Sequence, residues 1–152
     1  MRGLEPTAGK LVGALGLAIT GFMASHQFQI SPVRAESQYE IMFGVINAGI
    51  GVLVGWIVIG RNLRGRLDKI IGLGLWAIFW FYFWSLLVFS MDEMLARSWR
   101  MAYEMPDEAF DDMIRIAWRF MRDVFQVAVM GVLILGGIAT AALANLAQRL
   151  WS

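Results

Sequence analysis

One stretch decides the fold of this chain: "IIGLGLWAIFWFYFWSLLVFSM" (residues 70–91), which contains no charged residue. A helix that crosses the hydrocarbon core of a bilayer needs about 20 predominantly apolar residues, and this stretch provides them. Its centre, "WAIFWFYFW" from Trp76 to Trp84, has seven aromatic residues out of nine. We therefore predict a transmembrane helix here, with a crowded aromatic surface in the middle of the span.

The composition also indicates a membrane protein. Of the 152 residues, 59% are hydrophobic and 16% are charged, and the mean hydropathy is +0.60. Soluble globular domains carry about 25% charged residues. Because the length is that of one domain, we predict a single integral membrane domain over residues 1–152.

The residue types that are missing exclude several kinds of chemistry. The chain has no cysteine, which rules out disulfides, thiolate metal sites and thioether-linked haem. His26 is the only histidine, so one chain cannot supply a bis-histidine haem site. No P-loop, GxSxG, HExxH or dinucleotide motif occurs, so we expect neither enzymatic activity nor a cofactor. The net charge of +1 gives no electrostatic reason to expect a nucleic-acid partner.

Three further charge-poor windows complete the pattern, and together the four predict an all-α fold, a four-transmembrane-helix bundle with an amphipathic interfacial helix between helices 3 and 4. The first window has a second interpretation, a signal peptide, because Arg2 and Lys10 precede it and "MAS" follows. Its length favours an uncleaved helix. The helices are expected over about residues 8–26, 40–60, 69–103 and 106–149, the last including the amphipathic segment 106–123.

The distribution of basic residues predicts the orientation. The loop "RNLRGRLDK" (residues 61–69) has four basic residues and one acid, which is typical of the cytoplasmic side. The segment 92–123 has five arginines and eight acids. One span separates it from this loop, so it is expected on the opposite side of the membrane, and its five arginines are the evidence against that placement. We expect both termini to be cytoplasmic and segment 92–123 to be periplasmic or extracellular.

The segment after helix 3 carries the charged candidates. Glu93 and Arg97 are four residues apart, a spacing that supports a helix. Pro106 is then expected to begin a new, amphipathic helix. Its arginines predict contact with lipid phosphate and local carboxylates or, alternatively, an oxyanion site, since guanidinium groups suit such anions. These anion or lipid-headgroup candidates are Arg115, Arg119 and Arg122.

Small and aromatic residues predict how the helices pack. Small residues allow the backbones of membrane helices to approach closely, and the tryptophans of helix 3 recur every four residues on one stripe. We interpret the stripe as a surface that packs beside glycine-rich helices, lipid or another membrane subunit, with a bound pigment as the alternative. The packing candidates are Gly44, Ala48, Gly51, Gly55, Trp76, Trp80 and Trp84.

Two other groups of residues are weaker candidates. The methionines at one end of helix 3 could hold a soft metal ion such as Cu(I), although methionine is also a flexible packing residue. Asn47 and Asn145 lie inside apolar windows, and each is expected to form an interhelical hydrogen bond. The methionine candidates are Met91, Met94, Met101 and Met105.

Several motifs resemble one known family, the TrgA family of small membrane proteins from alphaproteobacteria, which is linked by name to tellurite resistance. The matching motifs are "PTAGKL" (Pro6–Leu11), "NAGIGVLVGW" (Asn47–Trp56) followed by Gly60 and Arg61, "FWSLLVFSMDEMLARS" (Phe83–Ser98), and then Tyr103, Pro106, Glu108 and Ala109. Ile57 departs from the family pattern, which has an arginine after the tryptophan. The resemblance implies a bacterial inner-membrane protein with four helices.

Three functions are compatible with these features. The first is a non-enzymatic inner-membrane protein of the tellurite-resistance-associated type. The second is an accessory subunit that docks on a larger photosynthetic or respiratory membrane complex through the aromatic face of helix 3. The third is a small transporter or channel, which the lack of charge near the span centres disfavours.

Overall fold

A computed structural model describes residues 7–30, 40–61, 63, 67–99 and 106–150. Throughout these residues the regular structure is helical, which confirms the all-α prediction. A short π-helical segment, Gly55–Ile59, continues the second helix. The α-helices are α1 (Ala8–Ile30), α2 (Glu40–Val54), α3 (Leu67–Ser98), α4 (Pro106–Val124) and α5 (Val127–Leu150).

Among the described residues, four helices are long and apolar enough to cross a membrane, as the charge-poor windows predict. These candidate spans are Ala8–Phe28, Ile41–Ile59, Lys69–Ser98 and Val127–Leu150. The third has 30 residues, or about 45 Å at 1.5 Å per residue. Because the hydrocarbon core is about 30 Å thick, α3 either tilts strongly or extends beyond the core.

The predicted fourth helix, residues 106–149, is wrong in one respect, because it is two helices. The chain leaves the helical hydrogen-bond pattern at Phe125 and Gln126. There, the Gln126 side chain donates to the carbonyl of Asp123 (2.9 Å), and the Phe125 N–H donates to the carbonyl of Arg122 (3.3 Å). These local bonds replace part of the helical ladder and separate α4 from α5. The predicted end of helix 3, residues 100–103, lies outside the described residues.

α1 packs against both α2 and α5, whereas α3 packs against α5 and α4. α1 and α5 are antiparallel, since Gly16 lies against Thr140 and Gly136 lies against Thr20. α3 and α5 also meet closely, because a Cβ atom added at Gly74 would be 2.9 Å from the carbonyl oxygen of Gly137. The core between these helices includes Leu17, Ile59, Ala77, Ile78, Phe81, Val129, Leu133 and Ala144.

α4 folds back along the C-terminal part of α3. The Tyr82 hydroxyl donates to the carbonyl of Met121 (3.1 Å), and Arg97 donates to Asp112 (2.9 Å). Ile116 and Phe120 are buried on the side of α4 that faces the bundle. These contacts fix an antiparallel hairpin, which we call the outer hairpin: the α3 residues from Leu87 onward together with α4.

Candidate functional site

A large apolar groove opens between α2 with its π-helical segment and α3. It has a volume of about 810 Å³, within the range of about 300–1,000 Å³ for small-molecule pockets. One wall comes from α3 and the other from α2 and Gly55–Ile59. Among the described residues, Arg61 contributes the single charged side chain of the lining. The groove is lined by Ile50, Leu53, Val54, Ile57, Val58, Arg61, Trp76, Trp80, Trp84 and Val88.

The tryptophan stripe of α3 forms the aromatic wall of this groove. Trp76 and Trp80 lie edge to face with ring centroids 6.0 Å apart, and Phe83 packs against Trp80 at 5.8 Å. Trp76 and Trp84 remain 53% and 44% exposed. The rings stabilise one another more than they fill the space towards α2, so the groove stays open.

The glycines of α2 and the tryptophans of α3 have different neighbours, and the predicted packing of the stripe beside glycine-rich helices, lipid or another subunit stays a prediction. The atoms nearest to Gly51 and Gly55 belong to α1, and Gly44 lies against the Phe22 ring, also of α1. Ala48, on the same helix, is partly buried. The small face of α2 therefore meets α1, and its larger side chains face the tryptophans.

A polar contact joins three helices beside the groove. The Asn47 amide donates to the Ser25 hydroxyl of α1 (2.8 Å), and the Ser85 hydroxyl of α3 donates to the Asn47 carbonyl oxygen (2.6 Å). This confirms the interhelical hydrogen bond predicted for Asn47. A small cavity of about 50 Å³ lies next to these groups. Asn145 is buried on α5, and its hydrogen bond stays a prediction.

The three arginines of the amphipathic helix are exposed on α4. At a spacing of four and three residues they share the polar face of the helix. They line neither the groove nor the small cavity beside Asn47. The structure thus brings Arg115, Arg119 and Arg122 onto one surface without enclosing a site between them.

Three charged residues of the outer hairpin form one cluster. Arg97 binds Glu93 (3.0 Å), the pair predicted from their spacing, and also Asp112 of α4 (2.9 Å). Sequence reasoning missed Asp112, because a contact between two helices leaves no fixed spacing in the sequence. The helical periodicity of α4 could have placed Asp112 near its buried face, but not its partner.

The methionine candidates are only partly described. Met91 is half exposed and Met94 is partly buried on α3, while Met101 and Met105 lie outside the described residues. Among the residues whose placement is described, no three histidine or carboxylate side chains are grouped to hold a metal ion. The soft-metal site therefore stays a prediction.

No protein-family model and no curated protein matches the sequence, and no solved structure matches the fold. The resemblance to the TrgA family accordingly stays a prediction that depends on the motifs alone.

Proposed function

We propose that this chain is a non-enzymatic accessory subunit of the bacterial inner membrane, which binds a larger membrane complex through one face of α3. The observation that carries this proposal is an apolar surface that continues past the point where the neighbouring helix α5 begins. Two observations support this: the position along α3 at which α5 begins, and the exposure of the α3 side chains beyond that position.

The close contact between Gly74 and Gly137 sets the relative height of α3 and α5. α5 begins at Val127, ten residues before Gly137, which is about 15 Å along the helix. The level of Val127 on antiparallel α3 is therefore close to Trp84. α3 continues to Ser98, about 21 Å further.

This extension carries exposed apolar side chains every four residues. Leu87, Met91 and Leu95 are 37%, 47% and 43% exposed, and the Trp99 N–H still donates to the Leu95 carbonyl, so the helical pattern reaches Trp99. We call these four residues the outer α3 surface. It continues the tryptophan stripe on the same face of the helix. With α3 extending beyond the hydrocarbon core, lipid would not cover this surface, and an exposed apolar surface outside lipid is typical of a protein interaction site.

The size of the native complex tests this proposal. The tagged protein is extracted from the membranes of its bacterial host in a mild detergent and separated by native electrophoresis. We expect it to migrate with a larger complex, and the double variant Met91→Lys/Leu95→Lys to migrate alone. Val127→Lys is the matched control, because Val127 is 91% exposed at the start of α5. Wild-type protein that migrates alone would overturn the proposal.

The orientation belongs to the same proposal: both termini cytoplasmic and segment 92–123 periplasmic. The basic loop at residues 61–69 supports it. A cysteine introduced at Asp111, which is exposed on α4, should react with a membrane-impermeant maleimide in intact spheroplasts. A cysteine at Arg149, exposed at the end of α5, should react only after the membrane is opened.

The arginine face of α4 favours a second function, in which the protein contributes to tellurite tolerance by holding an oxyanion at the periplasmic surface. Its support is the TrgA resemblance together with the shared exposure of Arg115, Arg119 and Arg122. The triple glutamine variant should lower tellurite tolerance at unchanged protein level. Unchanged tolerance would remove this function and leave the accessory-subunit proposal intact.

A further inference from the structure

The groove between α2 and α3 combines three features that are independent of the outer α3 surface. Its walls are apolar and aromatic, they belong to two candidate spans, and a positively charged side chain lies at one end. The proposed partner complex binds elsewhere on α3, so this inference does not depend on the proposed function.

The cation is Arg61, whose side chain is exposed and lines the groove. It directly follows the π-helical segment and Gly60, at the end of the bundle where α3 begins. The loop that it opens, "RNLRGRLDK", is the most basic segment of the sequence. Positive charge next to an apolar surface in the membrane complements an anionic lipid headgroup.

The wall next to Arg61 is an irregular helix. The Gly60 N–H donates to the carbonyl of Gly55 (3.0 Å), which is the bond of a π-helical turn. Single π-turns inside helices are frequent at functional sites. Ile57 and Val58 of this segment line the groove, and Ile57 is 52% exposed.

The length of the groove matches one leaflet. Its lining runs from Ile50 to Arg61 on one wall and from Trp76 to Val88 on α3, eleven and twelve residues, or about 16–18 Å along the helices. One leaflet contributes about half of the 30 Å hydrocarbon core. An acyl chain whose headgroup binds Arg61 would therefore pass Ile57 and extend along the tryptophans of α3 towards Val88.

From these features we propose that the groove is a specific binding site for an anionic phospholipid. One acyl chain lies between the tryptophans of α3 and the aliphatic side chains of α2, and the phosphate binds Arg61. The arginine provides the preference for an anionic headgroup, and the groove provides affinity for the chain.

Lipid retention by the purified protein tests this site. The full chain in detergent is incubated with phosphatidylglycerol or phosphatidylcholine of the same acyl chains, and bound lipid is counted by native mass spectrometry. We expect one retained phosphatidylglycerol per chain and weaker retention of phosphatidylcholine. Arg61→Gln should reduce phosphatidylglycerol retention about five-fold, the factor expected for one arginine facing anionic lipid, and should leave phosphatidylcholine unchanged.

Arg149→Gln is the matched control, because Arg149 is exposed at the end of α5 on the same predicted side of the membrane. This variant should retain phosphatidylglycerol like the wild type. Equal retention of the two lipids by the wild type, or equal loss in both arginine variants, would overturn the proposal.

A second measurement locates the acyl chain without relying on the arginine. Phosphatidylglycerol brominated in the middle of its chains should quench the tryptophan fluorescence of the wild type more strongly than brominated phosphatidylcholine does. This difference should disappear in the triple variant Trp76→Phe/Trp80→Phe/Trp84→Phe, which removes every tryptophan of the groove lining. Ile57→Trp, which places a larger side chain in the groove, should lower retention of both lipids. If the quenching difference persists in the triple variant, the chain does not lie in this groove.

Discussion

α2 has two neighbours and packs in a different way against each. Towards α1 its small residues allow the backbones to touch: a Cβ atom added at Gly51 would be 2.5 Å from the Leu17 carbonyl oxygen. Towards α3 its larger side chains face tryptophans, and a groove of about 810 Å³ remains between the helices. One helix thus forms both a closed and an open interface.

The difference shows how a membrane protein separates stability from binding. Without a hydrophobic driving force between helices in lipid, association depends on close packing and interhelical hydrogen bonds. The α1–α2 interface has the close packing. The α2–α3 interface has the Ser85–Asn47 hydrogen bond and an open groove. We therefore expect substitutions in the closed interface to affect folding, and substitutions in the open interface to affect ligands.

The largest effect is expected from a single methyl group in the closed interface. Gly51→Ala would place its Cβ atom 2.5 Å from the carbonyl oxygen of Leu17 and 2.8 Å from the Ala18 Cα atom, both backbone atoms. The helices must then separate, at a cost of about 1–3 kcal/mol. The free energy of unfolding, measured by denaturant titration in detergent micelles, should fall by this amount.

Gly49→Ala is the control on the same helix. A Cβ atom there meets nothing within 4 Å, and alanine favours a helix over glycine by about 1 kcal/mol. The stability should therefore stay the same or rise. If both variants lose stability equally, the two faces of α2 do not differ in packing as the structure shows.

A smaller loss is expected for Asn47→Leu, which sharpens the comparison because Asn47 links both interfaces. The variant removes the hydrogen bonds to Ser25 and from Ser85. Hydrogen bonds between membrane helices contribute about 0.6–2 kcal/mol, so the free energy of unfolding should fall by about that amount. Ser25 retains its bond to the Gly21 carbonyl (2.8 Å). Ser25→Ala should consequently lower the free energy of unfolding less than Asn47→Leu does, and the reverse order would contradict this hydrogen-bond network.

How far the sequence predicts this structure depends on whether a feature is local. Charge-free windows predicted the four apolar helices, because each helix must satisfy its own backbone in a bilayer. The spacing of Glu93 and Arg97 predicted their ion pair for the same local reason. The periodicity of α2 also predicted a small-residue face.

The neighbour of that face was not predictable, because helical periodicity gives a direction and not a partner. The periodicity predicted a small-residue face on α2, but not that its glycines contact α1. The break at Phe125 and Gln126 was missed because neither residue is a strong helix breaker. The groove was missed because it depends on the spacing of two helices.

A still smaller effect, of opposite sign, is expected in α3. Ser90 is 1% exposed, and its hydroxyl oxygen is buried with no hydrogen-bond partner among the described residues. A buried polar group without a partner costs stability. Ser90→Ala should raise the free energy of unfolding by up to about 1 kcal/mol. A loss of stability, measured in the same denaturant titration, would indicate that the hydroxyl has a partner.

The smallest effect is expected where α4 joins α3 outside the bundle core. Arg97 binds Glu93 and Asp112 with side chains that are 23–42% exposed. Partly exposed ion pairs contribute about 0.2–1 kcal/mol, so Arg97→Gln should barely change global unfolding. It should instead increase hydrogen exchange of the amides of α4, which Ile116 and Phe120 still hold by apolar contact. Arg122→Gln, an exposed arginine of the same helix, should leave that exchange unchanged. If both variants increase the hydrogen exchange of α4 equally, the ion pair does not fix the outer hairpin, and the apolar contacts alone hold it.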